Sequence, residues 1–138
     1  EVFAMSGKFS KLELNVDDLA AILMKFKNNV VAEVHLDYFQ KPDFRSCRII
    51  GSKGTVYWDS ETNTVKMYDS ITKKWIEKFS ISNYERNTMY VDELKYYISC
   101  TKKRENTMNN IKEGIKVLKI ALSIINSSQK NCVIQIEQ

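Results

Sequence analysis

The sequence predicts an α+β fold: an open, mostly antiparallel β-sheet with two main helices packed on one face. Three observations carry that reading. Alternating, β-rich runs separated by short polar pieces fill the first 81 residues. The apolar period then changes to that of a helix over two long stretches. A last β-rich run, residues 132–136, closes the pattern. With 138 residues, 43% hydrophobic and 28% charged, the chain has the size and apolar content of one domain with one core. Residues 1–138 are therefore read as a single domain.

The first run, EVFAM, enters a strand pattern at residue 1, which is Glu rather than Met. The chain is accordingly expected to be a piece of a longer protein. Residues 19–26, LAAILMKF, form the next run, and 30–38, VVAEVHLDY, alternate strictly. Asn28-Asn29 lies between them, and Asn tolerates positive φ, so a two-residue hairpin is predicted. That loop pairs Lys27 with Val30. It sets Leu23 opposite Val34, Ala21 opposite Leu36 and Ile22 opposite His35. One face then carries Leu19, Ala21, Leu23, Ala32, Val34, Leu36 and Tyr38, a core face. The other mixes Ile22, Met24 and Phe26 with Glu33, His35 and Asp37. A solvent face does not need Ile, Met and Phe, so this second face is predicted to meet another subunit, domain or ligand.

Pro42 breaks the extended segment. Strand patterns resume at 44–50, 55–58, 64–68 and 75–81 with short polar connections, an antiparallel meander. Tyr90, Leu94, Tyr97 and Ile98 then recur at helical spacing, with Asp92 and Glu93 near the expected start, where the helix dipole favours acids. A second helix is predicted from Asn110 as cap, with Glu113 completing a capping box. Ile111, Ile115, Leu118, Leu122 and Ile125 form its apolar stripe, widened by Val117, Ala121 and Ile124, and residues 127–131 (SSQKN) end it. No internal repeat stands out.

Composition excludes several function classes. No apolar run approaches a membrane span of about 18 residues, and no signal-peptide pattern opens the chain. The 21 basic and 17 acidic residues are interleaved, giving +4 without a basic block, so nothing argues for nucleic acid. Cys47, Cys100 and Cys132 are widely spaced and odd in number. They read as reduced, mostly buried thiols of a cytoplasmic protein. These cysteines and the single His35 make no metal pattern. A neighbouring carboxylate could tune His35 for acid–base work, but its place on a mixed strand face fits an interface histidine.

The stretch G-S-K-G-T at 51–55 invites comparison with a phosphate loop. It fails: two residues, not four, separate the glycines, the Lys precedes the second Gly, and a strand rather than a helix follows. It reads as a turn. No G-x-G-x-x-G is present, so the usual pyrophosphate loop cannot form.

Taken together, the hairpin DDLAAILMKFKNNVVAEVHLDYFQKP, then RIIGSKGTVYWD, MYVDELKYYISC and NNIKEGIKVLKIALSIINSS, resemble the C-terminal half of the Gfo/Idh/MocA oxidoreductases, the relatives of glucose–fructose oxidoreductase and inositol dehydrogenase. The resemblance covers nearly the whole chain in the right order. It implies that a Rossmann domain outside this chain binds NAD(P). It further implies that the sheet's free face builds subunit contacts and that a sugar, cyclitol or nucleotide-sugar lies between the domains. The family's E-K-P lysine and D-x-G-x-H segment are absent here. No catalytic or cofactor-binding residue is therefore assigned, and the chain alone is expected to be inactive and not to bind NAD(H). Tyr38, Gln40 and Arg45 are the candidate substrate contacts. Ile22, Met24, Phe26, Glu33, His35 and Asp37 are the candidate oligomer contacts. The alternative is a stand-alone β-sheet interaction module.

Overall fold

A computed structural model describes residues 1–136. Seven strands and two helices follow one another: β1 Val2–Gly7, β2 Leu19–Lys25, β3 Val31–Asp37, β4 Ser46–Gly51, β5 Gly54–Asp59, β6 Thr64–Asp69, β7 Lys74–Ser80, α1 Arg86–Lys103 and α2 Ile111–Lys130. The class is α+β, as expected. The strands divide into two antiparallel sheets, β1-β2-β3 and β4-β5-β6-β7, rather than one. The chain forms two compact units, Glu1–Gln40 with Asn106–Gln138, and Lys41–Glu105.

In the first unit β2 is central. It pairs β1 with Ile22 opposite Ala4 and pairs β3 with Ile22 opposite Val34. The predicted register is therefore wrong by one residue. The loop has three residues, not two: Phe26 N donates to Val30 O at 2.9 Å, and Asn29 takes the left-handed conformation at φ 62°. A one-residue slip moves every side chain of one strand to the opposite face relative to its partner. Ala20, Ile22 and Met24 share their face with Ala32, Val34 and Leu36. Ile22 is 4% exposed and joins Val2 and Ala4 in the core, with Met24, Val34, Ile124 and Ile134 packed around them. The predicted placement of Ile22 and Met24 on a free face is thus corrected.

The helix over that core is α2. Its Asn110 cap forms as expected, accepting from Lys112 N at 3.0 Å and Glu113 N at 3.3 Å. The Glu113 carboxylate accepts from Lys116 Nζ at 2.7 Å. The inward side is buried Ser127 with half-buried Ile120, Ser123 and Ile124, so of the predicted stripe only Ile124, from its widened edge, packs on the core. Ile111, Ile115, Leu118, Leu122 and Ile125 remain exposed, a second apolar stripe. The helix ends within the expected segment, at Lys130, with Asn131 as left-handed cap, so Ser127 and Ser128 lie in its last turn.

Those serines lie along the outer edge of β1. Ser127 Oγ accepts from Ala4 N at 3.0 Å and donates to Cys132 O at 2.7 Å. Ser128 Oγ accepts from Ser6 N at 2.8 Å. Val2 and Ile134 exchange both backbone bonds at 2.9 Å. Side-chain hydroxyls and one bridge thus occupy the edge that another chain could otherwise join. The predicted strand at 132–136 reduces to that single bridge, because the serines take the next positions along β1.

In the second unit each hairpin is local. Gly51 pairs Gly54 across the G-S-K-G turn. Gly54 has φ 156°, and a Cβ there would run into the Tyr68 carbonyl of β6, so only glycine fits. The next two loops share one device. Asp59 Oδ1 accepts from Glu61 N (2.7 Å) and Thr62 N (3.1 Å), with Asn63 left-handed at φ 49°. Asp69 Oδ1 accepts from Ile71 N (2.7 Å) and Thr72 N (3.2 Å), with Lys73 left-handed at φ 54°. The chain therefore does hold a short repeat, D-S-E-T-N and D-S-I-T-K, ten residues apart.

Cross-strand pairing sorts this sheet as well. Cys47, Ile49, Val56, Trp58, Val65, Met67, Ile76 and Phe79 share one face, with the Asp69–Lys74 pair at its end. The other face bears Arg48 over the Tyr57 ring (5.3 Å), then Lys66, Tyr68, Trp75 and Glu77. Helix α1 begins at Arg86 after Glu85, so Asp92 and Glu93 fall in its second turn rather than its first. Cys100 is buried, but Cys47 and Cys132 are exposed, against the expectation of mostly buried thiols. Cys47 sits on the uncovered face of an edge strand, and Cys132 follows the end of α2.

Candidate functional site

Polar groups gather in the first unit where β1 ends, β2 begins and β3 ends. Gly7, Leu19 and Asp37 stand in one cross-strand row there. Asp18, just before β2, is the centre. Its backbone N–H donates to Gly7 O at 2.9 Å, and its carbonyl accepts from Tyr38 N at 3.0 Å. Its carboxylate is buried and takes four donors: Phe9 N at 2.7 Å, Ser10 N at 3.0 Å, Ser10 Oγ at 2.5 Å and Lys8 Nζ at 2.8 Å. Burial alone would push the Asp18 carboxyl up. The Lys8 ammonium and the other donors outweigh it and hold the group well below the usual carboxylate range.

On β3, His35 Nε2 lies 3.0 Å from Asp37 Oδ2. The Asp37 carboxylate is largely buried and turned toward its own chain. Its other oxygen accepts from Phe39 N at 3.0 Å and Gln40 N at 2.6 Å, capping the turn that ends the strand. The Gln40 and Phe39 amides and His35 hold the Asp37 carboxyl low against its desolvation. Tyr38, predicted for the core face, is 67% exposed because that turn swings it off the sheet.

The structure thus brings His35, Asp37, Tyr38 and Gln40 to one corner, beside Lys8, Ser10 and Asp18. Tyr38, Gln40 and His35 offer hydroxyl, amide and imidazole groups suited to a hydroxyl-rich ligand. Arg45 belongs to the second unit, where its backbone N donates to Ser60 Oγ at 2.9 Å. Phe26 is exposed at the β2–β3 hairpin, at the opposite end of the strands from Tyr38. That end also holds a shallow apolar depression of about 220 Å³, lined by Val2, Phe3, Leu23, Met24 and Val31 among others. Among the described residues no cluster of His, Cys, Asp and Glu could hold a metal ion.

Sequence reading missed Asp18 and its ring of donors. Its partners lie eight to ten positions upstream in a segment with no regular structure, so no periodicity marks them.

No family model and no curated protein matches the chain. Solved structures do. A levoglucosan dehydrogenase in complex with NADH and L-sorbose superposes with a TM-score of 0.85 at 13% identity, covering 99% of this chain and 44% of that one. An oxidoreductase domain protein from Kribbella flavida gives 0.83 at 16% identity, again over 99% and 44%. A UDP-N-acetylglucosamine 3-dehydrogenase from Acidithiobacillus ferrooxidans gives 0.77 at 16% identity, over 94% and 40%. The chain therefore spans less than half the length of these oxidoreductases and has the fold of that portion of them.

Proposed function

We propose that this chain is the C-terminal, substrate-binding and oligomerisation domain of an NAD(P)-dependent oxidoreductase of the Gfo/Idh/MocA type. The observation that carries the reading is full-length superposition onto under half of several dehydrogenases. The uncovered apolar stripe of α2 supports it. Ile111, Ile115, Leu118, Leu122 and Ile125 repeat at the a/d spacing of a helix that packs on a partner. The partner is the cofactor-binding domain of the same longer protein, which would hold NAD(P) and the catalytic residues. The substrate is a sugar, cyclitol or nucleotide-sugar, bound beside Tyr38 and Gln40, with Arg45 a further candidate contact. The protein works in the cytoplasm.

Self-association takes place, on this reading, through the face of the first sheet that α2 does not cover. The corrected register moves that surface to Phe3, Met5, Ala21, Leu23 and Val31, and keeps Glu33 and His35. Leu23 is 51% and Val31 67% exposed. A stand-alone interaction module is the second reading, favoured by the same uncovered apolar faces.

The deciding experiment is NAD(P)+ reduction by the longer protein, including the sequence upstream of Glu1, with levoglucosan, UDP-N-acetylglucosamine and myo-inositol as a panel. Turnover of one of them by the longer protein, and of none by this chain, is the expected result. A longer protein without a dinucleotide-binding unit would favour the interaction module.

A further inference from the structure

We propose that residues 8–17 form a strap that walls one side of the substrate site at residues 38–40, and that Asp18 is the positioning residue that holds the strap. The inference rests on the reading above for the word substrate; the strap itself rests on geometry. Its two ends meet at one point. Asp18 N bonds Gly7 O at the end of β1, and Asp18 O bonds Tyr38 N just beyond β3. The strap and the 38–40 turn therefore leave the sheet at the same corner.

What holds the strap is polar. Its side chains Phe9, Leu12, Leu14 and Val16 are all exposed, so apolar burial does not fix its course. Asp18, 1% exposed, does. Its carboxylate gathers Lys8, Phe9 and Ser10, and Lys8 Nζ reaches on to Ser10 O at 3.1 Å and Leu12 O at 2.6 Å. At the other end Ser6 Oγ donates to Asp17 Oδ2 at 2.7 Å. An ion pair with one partner buried and the other reaching solvent is a poor source of net stability compared with apolar packing. It does select one conformation, since any other course leaves the carboxylate without donors. The result is a fixed loop with exposed apolar side chains that leaves the sheet where Tyr38 and Gln40 do. On the proposal, the strap offers the C–H faces of a sugar an apolar wall, and Tyr38 and Gln40 offer its hydroxyls partners.

The test has two arms. In this chain, Asp18→Asn and Lys8→Gln are compared by amide hydrogen exchange. Exchange in residues 9–17 should quicken about tenfold or more, while β1 and β2 stay protected. Lys8→Gln serves where Asp18→Asn does not fold. In the longer protein, with the same sugar panel, the variants should raise KM for the sugar about tenfold and leave kcat and the Kd for NAD(P) within about twofold. Unchanged exchange in both variants overturns Asp18 as the anchor. A freed strap with unchanged KM overturns the wall. A wild-type longer protein that turns over no sugar overturns the functional reading and the wall together, while exchange still decides the anchor.

Discussion

At the scale of single residues, two side chains tie sequence to stability most directly. Burial would raise the Asp18 pKa, yet its donors lower it below the value near 3.9 expected unfolded. A group depressed in the folded state stabilises above its unfolded pKa, and that contribution is lost as pH falls through the acid range. The urea midpoint should therefore drop between about pH 5 and pH 2, and Asp18→Asn should flatten that slope. Ser127 is the second. Replacing it by Ala leaves the buried Ala4 N–H without its acceptor and should cost about 1–3 kcal/mol in urea unfolding. Ser128→Ala should cost less, because its site is only half-buried and water can replace the hydroxyl. The pair was legible in sequence only as a family-like motif. The structure supplies its chemistry: the hydroxyls occupy the edge of a strand over 120 residues away.

At the scale of elements, the β2–β3 hairpin shows where reading stops. Both strands were legible, β2 as an apolar run and β3 from strict alternation. The register was not, because Asn28-Asn29 fits a two-residue loop as well as the end of a three-residue one, and Asn accepts positive φ in either. One residue of loop length decides which of Ile22 and Leu23 is core. Ile22→Ala should cost about 2–4 kcal/mol and Leu23→Ala less than about 1 kcal/mol. The predicted register demands the reverse order, so urea midpoints of the two variants decide between them. The same limit applies to α2. Its cap was legible from Asn110, but a helix apolar on two sides offers two stripes, and composition does not say which one its own sheet covers. The Asp59 and Asp69 loops escaped notice because a repeat of five residues lies below any domain-sized period.

At the scale of the molecule, strand and helix order sufficed for the α+β class, since period and turn chemistry agree along most of the chain. The division into two sheets was not visible, because nothing in a strand pattern names its neighbours. No described helix is long and apolar enough to cross a membrane. Self-association through the open face of the first sheet predicts that Leu23→Lys shifts the mass measured by light scattering toward the monomer, with the far-UV circular dichroism unchanged. Calorimetric titration of this chain with NADH should give no saturable heat, since it holds no G-x-G-x-x-G segment.

The edge seal on β1 also sets an order of events in time. The four-stranded meander is built from neighbours about ten residues apart, which close cheaply and early. Strand β1 is different: its outer partners are Ser127, Ser128 and Ile134, at the far end of the chain. During synthesis β1 is made before the other six strands described and must wait for α2. Its exposed edge is thus the part of a nascent chain most in need of protection, and pulse-labelled exchange during refolding should find Ala4 and Ser6 protected after the amides of β5 and β6.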